Sequence, residues 1–215
     1  VTDIFEKDDL GGMWHFDEGQ GILAYDSSGN GNHGTLMNNP TWVVPGTHLS
    51  FDGVDDYVDI PGIENNPNVI TQMAWIKTTS PGGAWGWNVI MTKRHADDGS
   101  DWPTLAIHDG YAVLQVDDRE YPAPIYHSTT QVNDGNWHYI VGVKDNNKYS
   151  IFVDGKLENF YIDNHPMDGS PYNLHIGHHG AWNNFFNGEI DEVAVYYRAL
   201  SPQEILDKAS PKLFE

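Results

Sequence analysis

Apolar and polar residues alternate most regularly between residues 137 and 160. Trp137, Tyr139, Val141 and Val143 share one phase against His138, Gly142 and Lys144, and Ile140 breaks the rule. A period of two marks an extended strand, because successive side chains leave a strand on opposite faces. Asp145-Asn146-Asn147-Lys148 supplies a turn, and Tyr149, Ile151 and Val153 form the apolar phase of a returning strand. Asp154-Gly155 then marks a second hairpin that leads on from Lys156. The stretch predicts a three-stranded meander. Shorter runs of the same kind predict strands at residues 12–17, 49–51, 57–60, 73–78, 88–93, 104–108, 112–116, 174–176 and 192–197. One helix is predicted, late in the chain. Ser201 is its N-cap, Pro202 its first residue, and Glu204 completes a capping box ahead of Ile205 and Leu206. Many short strands with one short C-terminal helix predict an all-β, two-sheet antiparallel β-sandwich of the jelly-roll type.

Composition agrees with a core of that kind. Aromatics make up 13% of 215 residues, and each buried ring removes roughly 150–250 Å² from water. No internal repeat or low-complexity linker is visible, so residues 1–215 are expected to form a single domain. No apolar run approaches the roughly 18–20 residues that span a bilayer, so membrane insertion is not expected. Val1 opens no basic and apolar leader, so no signal peptide is expected in these residues. The net charge of −20 repels phosphate backbones and anionic lipid, which excludes nucleic acid and membrane surfaces as partners. Neutral ligands and divalent cations suit it; solubility alone accounts for it equally well. Without cysteine, disulfides and thiolate metal sites are excluded.

Two groups of residues carry candidate chemistry. Asp26, Ser28, Asn30 and Asn32 place side-chain oxygens at alternate positions of a loop that Gly29, Gly31 and Gly34 allow to turn tightly. Calcium takes six to eight such oxygens. A plain turn is the alternative, because Asn and Asp also bond their own backbone. Asp191 adds weight to the metal, since period-two counting puts it on the side of Val193, Val195 and Tyr197, the expected core side of the last strand. An inward carboxylate is costly unless it is paired or bound to metal. The second group is aromatic. Trp85, Trp87 and Trp102 lie in or beside a region rich in glycine and aspartate, together with Lys93, Arg94, His95, Asp97, Asp98 and Asp101. A further cluster, residues 178–185, contains His178, His179 and Trp182. Flat rings beside polar groups suit the apolar C–H faces and hydroxyls of sugars. The same tryptophans could instead plug the ends of the sandwich. Trp85, Trp87, Trp102, His95 and Trp182 are the expected ligand-binding residues. His15, His108, His138 and His175 fall in predicted strands, where a hydrogen-bonded imidazole is the ordinary outcome.

Several segments, in order, resemble the laminin-G-like jelly-roll family, whose fold is that of the concanavalin A-like lectins and glucanases. They are Trp14-His15-Phe16-Asp17-Glu18-Gly19, the stretch from Tyr25 to Leu36, and Leu49-Ser50-Phe51-Asp52-Gly53 with Asp55-Asp56-Tyr57-Val58. Asp134-Gly135-Asn136-Trp137-His138, Phe152-Val153-Asp154-Gly155-Lys156, residues 186–193 and Tyr197-Arg198-Ala199-Leu200-Ser201 complete the set. The resemblance covers about residues 12–206 and implies two packed antiparallel sheets with a structural calcium. It also implies use as a binding module joined to other domains of a secreted or cell-surface protein. In that family the first and last long strands lie side by side, which implies a Ca2+ ion held by Asp17, Asp26, Asn32, the Gly34 carbonyl and Asp191, with Asn30 in reserve. The expected function is a calcium-stabilised, lectin-like module that binds an oligo- or polysaccharide. A protein-binding adhesion module is the alternative, and a polysaccharide lyase or glycosidase on the same fold is a further one.

Catalysis is disfavoured by spacing. Glu189-Ile190-Asp191-Glu192 resembles the Glu-x-Asp-x-Glu strand of fold-related glucanases, or its variant with one residue inserted. A retaining mechanism needs two carboxyls about 5–5.5 Å apart on one side of the sugar. Val193 and Ala194 stand where the second carboxylate would be at either spacing, and Glu192 is expected to point the other way. For a lyase, Arg94, His95, Arg119, Tyr121 and Tyr126 supply residue types without a matching strand pattern.

Overall fold

A computed structural model describes residues 9–43, 48–64, 68–94, 102–115, 125–164, 167, 169–180 and 184–210. In chain order its strands are β1 (Leu10–Trp14), β2 (Leu23–Ala24), β3 (Gly34–Met37), β4 (Thr41–Val43), β5 (His48–Asp52), β6 (Tyr57–Ile60), β7 (Val69–Lys77) and β8 (Trp87–Thr92). They continue as β9 (Thr104–His108), β10 (Tyr111–Gln115), β11 (His127–Gln131), β12 (Trp137–Asp145), β13 (Lys148–Val153), β14 (Lys156–Ile162), β15 (Leu174–Ile176) and β16 (Asn187–Tyr196), followed by helix α1 (Pro202–Lys208). The first sheet runs β14-β13-β12-β7-β16-β5-β4, with β1 also paired to β16. The second runs β11-β10-β9-β8-β15-β6-β3-β2. Every strand pairing is antiparallel. The all-β sandwich expected from the sequence is therefore the fold. Among the described residues no helix is long and apolar enough to cross a membrane.

One core lies between the sheets. Ile76, Ile140, Ile190 and Val193 of the first sheet meet Val58, Ile90, Leu105 and Ile107 of the second, all fully buried. The first sheet buries its other face as well. Met73, Trp75, Tyr139, Val141 and Phe152 form a separate apolar layer with Leu200 and with Ile205 of α1. This explains why Ile140 broke the alternation along β12. The strand is covered on both faces, so both phases are apolar: Ile140 faces the inter-sheet core, and Tyr139 and Val141 face the helix side. The helix itself forms as expected. Ser201 Oγ accepts from the Glu204 amide, and Glu204 Oε2 accepts from the Ser201 amide at 2.7 Å.

Two local devices hold the meander. Asp154 and Gly155 both take positive φ (51° and 79°), as a two-residue hairpin turn demands. The cost of placing a non-glycine there is offset by what the Asp154 carboxylate does. It accepts the Tyr139 amide at 2.9 Å and contacts His138 Nδ1 at 2.9 Å, while His138 Nε2 lies 3.2 Å from Asp134. The hydrogen bond to Asp154 outweighs burial and, with the charges of Asp154 and Asp134, raises the His138 pKa above 6.5. A raised histidine pKa contributes stability that is fully present below the unfolded value and is lost as pH rises through the folded one. We expect the thermal midpoint to fall between about pH 6 and pH 8, and His138→Gln to flatten that decline. A pH series of melts that is superimposable for the two proteins would exclude the effect. At the sandwich edge, the Glu158 carboxylate of β14 accepts both amides and both hydroxyls of Thr129 and Thr130 on β11, tying one sheet to the other.

Candidate functional site

The N-terminal loop is built around one carboxylate. Asp26 is buried, and its Oδ1 accepts the Met13 amide at 3.0 Å and the Ser28 amide at 2.9 Å. Its Oδ2 accepts Ser28 Oγ at 2.8 Å and the Asn32 amide at 2.9 Å. The side-chain amides of Asn30 and Asn32 donate to carbonyls of β1, Asn32 to Gly11 at 2.8 Å, and Trp14 Nε1 donates to the Asn32 carbonyl at 2.9 Å. Burial alone would raise the Asp26 pKa, but the bonds from Ser28, Met13 and Asn32 together hold it below the ordinary value. A carboxylate offers about four lone-pair sites, and all four are taken. This is the plain-turn alternative in a developed form, latching the loop onto the first strand.

Asp17 is exposed. Gly34 is needed for space, because a Cβ there would lie 2.5 Å from Val58 Cγ1. Asp191 is fully buried, but on the other face from the one expected. It pairs with Trp75 of the outer layer, whereas Ile190, Val193 and Val195 face the inter-sheet core. The cause is a bulge: the register between β16 and β7 shifts after Asp191, and Glu192 takes a φ of 48°. Period-two counting back from Val193 passes through that extra residue and inverts the face. Among the described residues the only three His, Asp or Glu side chains whose ligand atoms all lie within 4.8 Å are Asp52, Asp55 and Asp56. That group sits in a turn where Asp52 Oδ1 accepts the Val54 amide and Asp56 Oδ2 the Asp52 amide. Asp17, Asp26 and Asp191 do not form such a group.

The tryptophans divide. Trp102 is a core residue, 1% exposed, with the buried Lys93 Nζ 4.9 Å from its ring centre. Burial lowers the Lys93 pKa to about 8, and its ammonium donates to the Ile63 carbonyl at 2.6 Å. Trp102 is therefore part of the inter-sheet core and offers no open ring to a ligand. His95 and Trp182, with Asp97, Asp98 and Asp101, lie outside the described residues. Trp85 is 80% exposed and stands on a single 3₁₀ turn with φ 61°. The turn is tightly bonded: the Gly83 amide donates to the Trp87 carbonyl at 2.7 Å, the Gly86 amide to Gly83, and the Asp109 amide to Gly86. Gly82 cannot be replaced there, since a Cβ would lie 2.1 Å from the Gly86 oxygen.

Next to this finger, rings line the outer face of the second sheet. Trp87 pairs with His108 across β8 and β9, with ring centres 4.5 Å apart. His108 Nδ1 lies 2.8 Å from His127 Nε2, the two rings stacked at 5.1 Å, and Tyr111 meets His127 edge-on. Burial, then the neighbouring His108, lowers the His127 pKa. The Asp109 side chain is 69% exposed beside His108. An open indole, a row of imidazole and indole rings, and an exposed carboxylate form a platform for a ring with an apolar face and polar rim. Sequence reasoning missed His108, Asp109, Tyr111 and His127. The hairpin dipeptide Asp109-Gly110, which sets His108 opposite Tyr111, was the available signal. The second sequence cluster also forms a ring column, with Phe185 stacked on His178 at 4.1 Å, and His175 and Tyr57 beside it.

Residues 52–206 match the family described as Laminin_G_3, the concanavalin A-like lectin/glucanases superfamily. No curated protein matches the chain. Among solved structures, the binding domain of Paraclostridial Mosquitocidal Protein 1 is similar over 94% of this chain and 52% of its own, with a TM-score of 0.72 and 13% identity. Domain 4 of AbnA, a GH43 extracellular arabinanase from Geobacillus stearothermophilus solved in complex with arabinotriose, is similar over 94% of this chain and 98% of its own (TM-score 0.72, 21% identity). A structure of botulinum neurotoxin type C, whose cell entry depends on two ganglioside molecules, is similar over 94% of this chain and 51% of its own (TM-score 0.68, 11% identity). The chain spans about half the length of the two toxin structures. At these identities the likeness is one of fold, and the family match covers well over half of the residues. The chain belongs to the concanavalin A-like lectin/glucanase superfamily.

Proposed function

We propose that the chain is a non-catalytic module of a secreted or cell-surface protein that binds a neutral oligo- or polysaccharide. The observation that carries this is Trp85, an indole 80% exposed yet held by a hydrogen-bonded turn beside the Trp87–His108–His127 row. An exposed tryptophan on a preorganised turn loses little freedom when a sugar stacks on it, so the contact keeps most of its free energy. The charge of −20 favours an uncharged ligand over an anionic one. Domain 4 of the arabinanase, solved with arabinotriose, supports a sugar on this architecture. Nothing in the reading needs a metal.

The strand spacing supports a binder over a glycosidase. With the bulge at Glu192, the residues of β16 that share the outer face are Glu189, Asp191 and Ala194. The inserted-residue spacing is the one that applies, and alanine stands where a second catalytic carboxylate would be needed. Glu192 lies 2.7 Å from His15 instead. A glycan array probed in EDTA and again in calcium tests the reading. We expect neutral glycans to be retained equally in both, with no reducing sugar released. An array with no retained glycan, or release of reducing sugar from a bound one, would overturn it.

A further inference from the structure

The first sheet carries its own row of polar and aromatic groups, on the face remote from the Trp85 platform. Strand register places Trp137 of β12 opposite Lys77 of β7, Lys77 opposite Glu189 of β16, Glu189 opposite Ser50 of β5, and Ser50 opposite Thr41 of β4. Four strand gaps of 4.7–4.9 Å make this row about 19 Å wide. Helix α1 covers the neighbouring part of the same face through Ile205, but the row is open: Trp137, Lys77, Glu189 and Ser50 are half-buried and Thr41 is exposed. Glu189 is fixed from two sides, with Lys77 Nζ at 3.2 Å and His48 Nε2 at 3.1 Å. His48 meets the Trp137 ring edge-on at 5.2 Å, and Lys77 Nζ sits 6.0 Å from its centre.

We infer that this row is a second saccharide site, so that the module binds sugar on both faces of the sandwich. The inference rests on the carbohydrate-binding reading and deepens it from one contact surface to two. A partly exposed Lys–Glu pair of this kind adds little to stability. It does hold a carboxylate, an ammonium and an imidazole in fixed directions beside an indole, which is how a pyranose is recognised: hydroxyls to the charged groups, C–H face to the ring. The carboxylate is balanced by the Lys77 ammonium, with the His48 imidazole on its other side, which suits an uncharged sugar. Two sites facing opposite ways let one module hold two chains together or gain avidity on a dense polysaccharide.

Calorimetric titration with size-fractionated arabinan, xylan and mixed-linkage glucan oligosaccharides tests it by stoichiometry. We expect two equivalents for the parent protein and one for Trp85→Ala. We expect one for the pair Glu189→Gln with Lys77→Ala, and none when all three changes are combined. Circular dichroism and melting controls keep loss of fold from mimicking loss of a site. One equivalent for the parent, or two retained by the Glu189→Gln, Lys77→Ala protein, overturns the second site and leaves the first standing. No binding of any oligosaccharide by the parent removes both.

Discussion

Asp26→Ala is expected to lower the thermal midpoint by about 6–12 °C, from a loss of about 3 kcal/mol at the 2–4 °C per kcal/mol typical of a domain this size. Neither EDTA nor added calcium is expected to move the midpoint of the parent chain. The substitution strands the amides of Met13, Ser28 and Asn32 together with the Ser28 hydroxyl, and the two Ser28 donors are buried. Each lost bond to a charged acceptor costs about 1.5–3 kcal/mol, and relaxation of the loop recovers part of the sum. Asp26→Asn should fall between, since it keeps one acceptor oxygen. The pH dependence has a definite sign. Because the folded pKa lies below 3.8, the carboxylate contributes stability above that value, and the contribution is lost as pH falls through the folded pKa. Differential scanning calorimetry with and without EDTA decides the matter. A midpoint that drops on chelation while Asp26→Ala melts like the parent would restore the metal and remove the latch.

Much of the scaffold was readable because local chemistry and global fold agree there. Strands β6, β9 and β15 fall at the residues that alternation and turn signals predict, and the capping box around Ser201 sets the start of α1. Short strands such as β2, with two residues, and β4, with three, carry too few positions for a period to show. Where sequence reasoning chose a face, it was open to two physical effects. Central strands of the first sheet are buried on both sides, so an apolar phase such as Tyr139 and Val141 does not identify the inter-sheet core. The bulge at Glu192 shifts the phase of β16 by one residue, which turned Asp191 from an inward ligand into an outward neighbour of Trp75. The acidic loop looked like a metal site because the short oxygen-bearing side chains that suit calcium also suit bonding to backbone amides. Only the positions of the amide donors separate the two. For the tryptophans, Trp85 and Trp102 have similar sequence surroundings, yet one is 80% exposed and the other 1%. That difference comes from packing across the sandwich, which neighbouring residues do not encode.

Trp85→Gly is expected to weaken binding of the array-selected oligosaccharide at the Trp85 platform about 10- to 100-fold, or about 1.4–2.7 kcal/mol at that site, without lowering the thermal midpoint. Glycine is the informative replacement. Trp85 holds a φ of 61°, a conformation that glycine adopts freely and that strains other side chains. Its ring is exposed, so little packing is lost, and relief of the backbone strain offsets the added flexibility. Trp87→Ala should weaken binding too, but it also removes a half-buried ring that packs against Val89, Ala106 and Val113, so its melt falls and its loss of affinity is ambiguous. His108→Phe separates stacking from polar recognition: it keeps a ring between Trp87 and His127 while deleting the hydrogen bond to His127. If affinity depends on the indole platform alone, the phenylalanine variant binds like the parent; if imidazole donors also grip the sugar, it loses about tenfold, near 1.4 kcal/mol. Unchanged affinity and stoichiometry in Trp85→Gly, measured on a protein that melts normally, would take the sugar off the finger, because no other group in the finger offers a stacking surface.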